Sequence, residues 1–198
     1  TLTSTAGRAI NIETEGEVVI NNLTVNASGE RAFNIINKPA TVELNGVTAI
    51  AKNNAVMVAT SAGAVQLAVN DCDFTGLAVV NVAGAGSQVT ITDTKITNVD
   101  NNPDENYGAI TLSITATGST VTATNTTVNV NDDSSKAIIS CENGTITING
   151  STEGVVRHVA YINYGNYAYT FATLEGAIAK AKDGETVVLV SDLELSDA

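Results

Sequence analysis

The sequence predicts an all-β fold: a single-stranded parallel β-helix of about six coils, closed by a C-terminal helix and strand. Three observations predict it. Apolar segments led by alanine recur at a nearly fixed step. Each is followed by further short runs in which apolar and polar residues alternate. The residue that ends the second run of every repeat is Asn or Thr. With 198 residues and 43% hydrophobic content, the chain is long and apolar enough to bury a continuous core.

The leading segments are Arg8-Ala9-Ile10-Asn11-Ile12, Arg31-Ala32-Phe33-Asn34-Ile35 and Asn54-Ala55-Val56-Met57-Val58, with Ala78 of Leu77-Ala78-Val79-Val80 next in the series. Two more begin at Ala109 and Ala137. The alanines step by 23 residues three times, then by 31 and 28, so the later repeats carry insertions.

The second runs are Val18-Val19-Ile20-Asn21, Val42-Glu43-Leu44-Asn45, Leu67-Ala68-Val69-Asn70, Val89-Thr90-Ile91-Thr92, Val121-Thr122-Ala123-Thr124 and Ile146-Thr147-Ile148-Asn149. Short alternating runs rich in Val, Ile and Thr, bounded by Gly, Asn and Ser, read as half-buried strands. A third inward pair lies two residues beyond the polar one: Leu23 and Val25, Val47 and Ala49, Cys72 and Phe74, Thr94 and Ile96. No repeat of this size buries its apolar side alone, so the repeats stack. Equivalent strands then lie parallel about 4.8 Å apart around an apolar column. A leucine-rich horseshoe has a similar period, but here the recurring residues are mostly Val, Ile and Ala. The row Asn21, Asn45, Asn70, Thr92, Thr124, Asn149 is expected to be a ladder of side chains bonded from coil to coil at a bend.

This repeat with its asparagine row resembles the right-handed parallel β-helix superfamily that includes the pectate lyases, over roughly residues 6 to 154. The resemblance implies right-handed winding. It also locates where enzymes of this fold keep their chemistry, on the outer face of the first strand. Here those positions read Asn11, Asn34, Met57, Thr111 and Ile139, a row without acid or base.

Residues 155–198 form a second region, either a cap on the coil or the start of a following module. Leu174, Ala177, Ile178 and Ala181 share one helical face, with Thr173 as N-cap and Gly184 as a stop, and Glu185–Val190 reads as a strand. The run from Tyr169 to Ile178, continued by Ala181-Lys182-Asp183-Gly184-Glu185-Thr186-Val187, resembles the segment that opens many β-helix domains, where an amphipathic helix plugs the end of the coil. It also resembles a module repeated in tandem in bacterial adhesin-like surface proteins. Tyr167, Tyr169 and Phe171 alternate on one face of a strand and are expected to pack.

Charge and composition narrow the function. Nine Lys plus Arg against 21 Asp plus Glu give a net charge of -12, which disfavours nucleic acid and anionic membranes as partners. No apolar run is long enough to span a bilayer. One His, two Cys and no Trp leave little for a metalloenzyme or nucleophilic triad. Cys72 and Cys141 fall three coils apart, too far for a disulfide, and are expected to be buried thiols. His158 is expected at the surface or at the junction between the two regions. The two insertions stack at one edge and gather Asp100, Asp104, Glu105, Asp132 and Asp133, hard oxygen ligands of the kind that suit Ca²⁺. No other cofactor is expected.

The expected function is a non-catalytic extracellular module of a larger exported bacterial protein, either adhesin-like or a spacer at the cell surface. Its partners would be an extracellular glycan or protein and neighbouring modules of the same chain. A polysaccharide-degrading or glycan-binding β-helix is the alternative.

Overall fold

The computed structural model describes residues 1–99, 109–130, 139–141, 143–153, 155–164, 167–171 and 173–190. Residues 1–156 wind into a parallel β-solenoid with three sheets along its length. The first sheet contains Ile10–Ile12, Phe33–Ile35, Val56–Val58, Val80–Val82, Ile110–Leu112, Ile139–Cys141 and Val155–Val156. The second contains Glu17–Asn21, Thr41–Asn45, Gln66–Asn70, Gln88–Thr92, Thr120–Thr124 and Thr145–Ile148. The third contains Leu2–Ser4, Thr24–Ala27, Thr48–Ala51, Asp73–Gly76, Lys95–Asn98 and Thr127–Val130. Every pairing within these sheets is parallel. Five coils are complete with three strands each, and partial coils flank them at both ends. This is the expected all-β solenoid, and it fits the right-handed winding that parallel crossovers almost always take.

Inward residues of successive coils stack into one continuous core, in which Phe33, Leu44, Phe74, Ile91, Ile96, Ile110 and Leu112 are completely buried. Single strands of three to five residues are too short to be stable alone. Those inside a sheet persist because both neighbours supply hydrogen bonds and their inward side chains enter the column.

The register revises the expected frame at two of the anchors, Ala78 and Ala137. Ile10, Phe33, Val56, Val80, Ile110 and Ile139 are aligned, so the position equivalent to Ala9, Ala32 and Ala55 is Val79 rather than Ala78. Ala78 instead occupies the row of Arg8, Arg31 and Asn54. Val79 and Val80 are both apolar, so alternation alone cannot fix the frame at that point. The same register turns Ile139 inward, where it is buried, and gives Ser140 the register position of Thr111. It also adds Asn81 to the outward row, between Met57 and Thr111.

The C-terminal region is an antiparallel three-stranded sheet, in the order Tyr167–Phe171, Ala160–Tyr164, Val187–Leu189, carrying the helix Leu174–Lys180. Thr173 caps the helix as expected, its Oγ1 accepting the Gly176 N–H at 3.1 Å. The helix ends at Lys180, ahead of Gly184, which sits at φ 84° in the turn to the last strand. Its principal packing is against these three strands. Ala160, Ile162 and Ala177 are buried there, outside the core cluster of the solenoid. Ile178, expected on the packed face, is 59% exposed. His158 lies at the junction and is buried. Among the described residues, no helix is long and apolar enough to cross a membrane.

Candidate functional site

The bend between the second and third strands is where this sequence repeats its polar residues, and three rows meet there. The outermost row is the asparagine ladder: Asn45 Nδ2 donates to Asn21 Oδ1 at 2.9 Å, and Asn70 Nδ2 donates to Asn45 Oδ1 at 2.9 Å. The next residue of each coil takes a left-handed backbone: Asn22, Gly46, Asp71, Asp93 and Asn125 have φ between 49° and 59°. Only Gly, Asn and Asp adopt that conformation at low cost, which explains the composition of the row. Gly46 has a further reason to lack a side chain, because a Cβ there would lie 2.7 Å from Asn22 Oδ1.

The third row points inward: Leu23, Val47, Cys72, Thr94 and Thr126. In its later members side chains serve backbone. Thr94 Oγ1 accepts the buried Cys72 N–H at 3.2 Å and donates to Thr92 O at 2.8 Å, and Cys72 Sγ accepts the Val47 N–H at 3.4 Å. Burial pushes the Cys72 thiol up from its ordinary range. Cys72 and Cys141 are both buried free thiols, as expected.

Asn149 departs from the expected ladder. It turns left-handed directly after Ile148, with Gly150 following at φ 78°. The Ile148 and Ser151 backbones bond each other in both directions across this two-residue turn. The Asn149 amide brackets the backbone of Thr126 instead, Oδ1 accepting its N–H and Nδ2 donating to its O, each at 3.0 Å. Thr92 and Thr124 supply no amide to prolong the ladder.

Sequence reasoning missed a second internal row, at the entry to the second strand. Ser87 Oγ accepts the Val65 N–H at 3.1 Å and donates to Gly63 O at 3.1 Å. Ser119 Oγ accepts the Ser87 N–H at 2.9 Å and donates to Gly84 O at 2.9 Å. Its signal is legible in retrospect, since Gly86-Ser87-Gln88-Val89-Thr90 and Gly118-Ser119-Thr120-Val121-Thr122 are near copies.

On the exterior of the first sheet, Arg31 is held at a corner. Its Nε bonds Asn54 Oδ1 at 3.1 Å, Nη1 bonds Asn34 Oδ1 at 2.9 Å, and Glu30 lies 3.4 Å away. Asn34 in turn donates to Asn11 Oδ1 at 3.0 Å. These groups satisfy one another, and the guanidinium is committed to ordering the corner. The outward row of this sheet, Asn11, Asn34, Met57, Asn81 and Thr111, presents no carboxylate, imidazole or amine. Lys38 and Glu15 pair at 2.9 Å in solvent, which holds the carboxyl below and the amine above their usual ranges.

The outer face of the second sheet is uncharged from Gln66 to Thr147. Its outward positions are Gln66, Ala68, Asn70, Gln88, Thr90, Thr92, Thr120, Thr122, Thr124, Thr145 and Thr147. In a chain with a net charge of -12, this is a distinct surface of hydroxyls and amides.

Two cavities, of about 280 and 400 Å³, open near the last coil. Arg157 borders the first and Glu153 the second, with aliphatic and hydroxyl side chains around them, so neither brings an acid and a base together. The expected calcium ligands Asp100, Asp104, Glu105, Asp132 and Asp133 lie outside the described residues. Among the described residues, no group of three or more His, Cys, Asp or Glu is placed to hold a metal. Comparison with protein-family models, curated proteins and solved structures gives no match.

Proposed function

We propose that this chain is a non-catalytic structural module, a rigid acidic segment that spaces or displays binding surfaces in a larger exported protein at a bacterial cell surface. One observation carries the reading. The polar side chains at the solenoid's corners are spent on one another and on backbone, as in the Asn21–Asn45–Asn70 ladder and the Arg31 corner, and the first-sheet outward row offers no acid or base. Residues spent in this way stiffen a rod and are not available to move protons or attack a substrate. Small-angle scattering of the chain, together with product screening on acidic polysaccharides, tests it. A rod-like particle that yields no unsaturated or reducing ends is expected, and steady product formation overturns the reading.

The uncharged second-sheet face favours a second reading, binding of a neutral glycan. Hydroxyl and amide groups repeating at the coil spacing match a ligand that also repeats hydroxyls along its length. A glycan array probed with the chain separates the two: retention on neutral glycans makes the module an adhesin, and no retention leaves it a spacer.

A further inference from the structure

Hydroxyl side chains at the corners of the solenoid serve its backbone: Ser87 and Ser119 at the entry to the second strand, Thr94 and Thr126 at the bend that follows it. Seven threonines on the outer face of the second sheet do not. Thr90, Thr120, Thr122, Thr124 and Thr145 are exposed, and Thr92 and Thr147 are half-buried. Among the described residues, none of these seven hydroxyls bonds another residue. They stand in straight columns across three consecutive strands, because those strands pair in direct register. Thr120 lies beside Thr145, Thr92 beside Thr124, and Thr122 between Thr90 and Thr147. Branching at Cβ restricts χ1, so each methyl and hydroxyl keeps a near-fixed attitude. The result is a two-dimensional grid, with steps of about 4.8 Å across the strands and roughly 6.6 Å along them.

An uncharged patch in a chain of net charge -12 suits an uncharged partner, and a grid that repeats in two directions suits one that does the same. A single polymer chain repeats in one direction only, and the outward positions of this face include no aromatic ring for a sugar to stack on. Crystalline water repeats in two. Water molecules bonded tetrahedrally at about 2.75 Å place second-neighbour oxygens about 4.5 Å apart and repeat their layers about every 7.3 Å. Both steps of the grid agree with these spacings to within about a tenth. We infer that the second-sheet face from Thr90 to Thr147 binds ice, its hydroxyls and methyls ordering a first layer of water in the crystal's own pattern. The face then holds a crystal surface rather than a glycan chain, and the solenoid that carries it keeps its role as a spacer.

Partition of the full chain between slowly growing ice and the remaining liquid, together with an ice-recrystallisation assay, tests the inference. Thr122→Lys and Thr90→Lys each put a charge on the grid. Thr48→Lys puts the same charge at an exposed outward position of the third sheet. Retained β-sheet circular dichroism and unreactive Cys72 and Cys141 thiols verify that each variant is folded. The wild type and Thr48→Lys are expected to enter the ice and arrest recrystallisation, and both grid variants to lose these effects. A wild type rejected into the liquid like an ordinary solute overturns the inference. So do grid variants that still enter the ice, or a Thr48→Lys chain that no longer does. Retention on neutral glycans combined with rejection from ice also overturns it and returns the face to glycan binding. None of these results bears on the rod shape of the chain or on product formation, which test the proposed function separately.

Discussion

The bend after the second strand is built in two chemistries along the same solenoid. In the first three coils it is held from outside by amides, Asn21, Asn45 and Asn70, while Leu23 and Val47 line its inside as plain apolar residues. In the fourth and fifth coils the outer strand-end residues are Thr92 and Thr124, the outer bond moves one position on, where Asn125 Nδ2 donates to Asp93 Oδ1, and the inside holds Thr94 and Thr126, hydroxyls that serve backbone. Cys72 stands between the two regimes, apolar enough for the core and still an acceptor for Val47. The comparison teaches that the same corner can be held by a side-chain ladder on its outside alone or by side-chain bonds on both sides of the turn.

The largest effect expected from disturbing this arrangement is on the inside. Thr94→Val keeps the shape but leaves the buried Cys72 N–H without an acceptor, which should cost about 1–3 kcal/mol by denaturant unfolding. An unchanged midpoint would show that the inner hydroxyls are incidental. On the outside, Asn45→Ala removes both ladder bonds and should cost about 1–2 kcal/mol, whereas Thr92→Ala, at the equivalent position one regime later, should stay within about 0.5 kcal/mol. Equal losses at the two positions would erase the distinction between the regimes.

The smallest effect is that of pH at Cys72. Its thiol titrates higher in the folded than in the unfolded chain, so the folded state holds the proton longer. That contribution is complete below the ordinary thiol range and is lost as pH climbs through the folded value. Stability should therefore decline in alkali, and Cys72→Val should remove that part of the decline. Identical alkaline profiles for the two chains would contradict the assignment.

Strand positions and most inward residues were legible because a parallel solenoid reads out its core as plain alternation, while about six coils were expected and five are complete. The frame slipped by one residue where adjacent apolar residues broke the alternation, at Ala78-Val79-Val80 and at Ala137-Ile138-Ile139. The dipeptide Asn-Gly shows why bends are harder to read. In Asn45-Gly46 the Asn stays in the strand and only Gly46 turns left-handed. In Asn149-Gly150 both residues do, and a tight two-residue turn forms. Local preference is the same in both cases. The difference is that Asn45 is held in its strand between Asn21 and Asn70, while after Ile148 the chain doubles back through Ser151. Ile178 is the corresponding lesson for the helix: periodicity identifies an apolar face but not what covers it. The acidic insertions were legible as composition only, since ligand geometry depends on loop conformation, which carries no period.

The backbone hydrogen bonds between coils all run along the long axis of the solenoid. Tension applied between its ends therefore loads them head on, one winding at a time, rather than in shear across a whole sheet. A winding of 23 residues occupies about 4.8 Å of axis when folded and reaches roughly 75 Å when pulled straight. Anchored at one end and tugged at the other, the segment would lengthen in discrete steps and take up slack before anything covalent is strained.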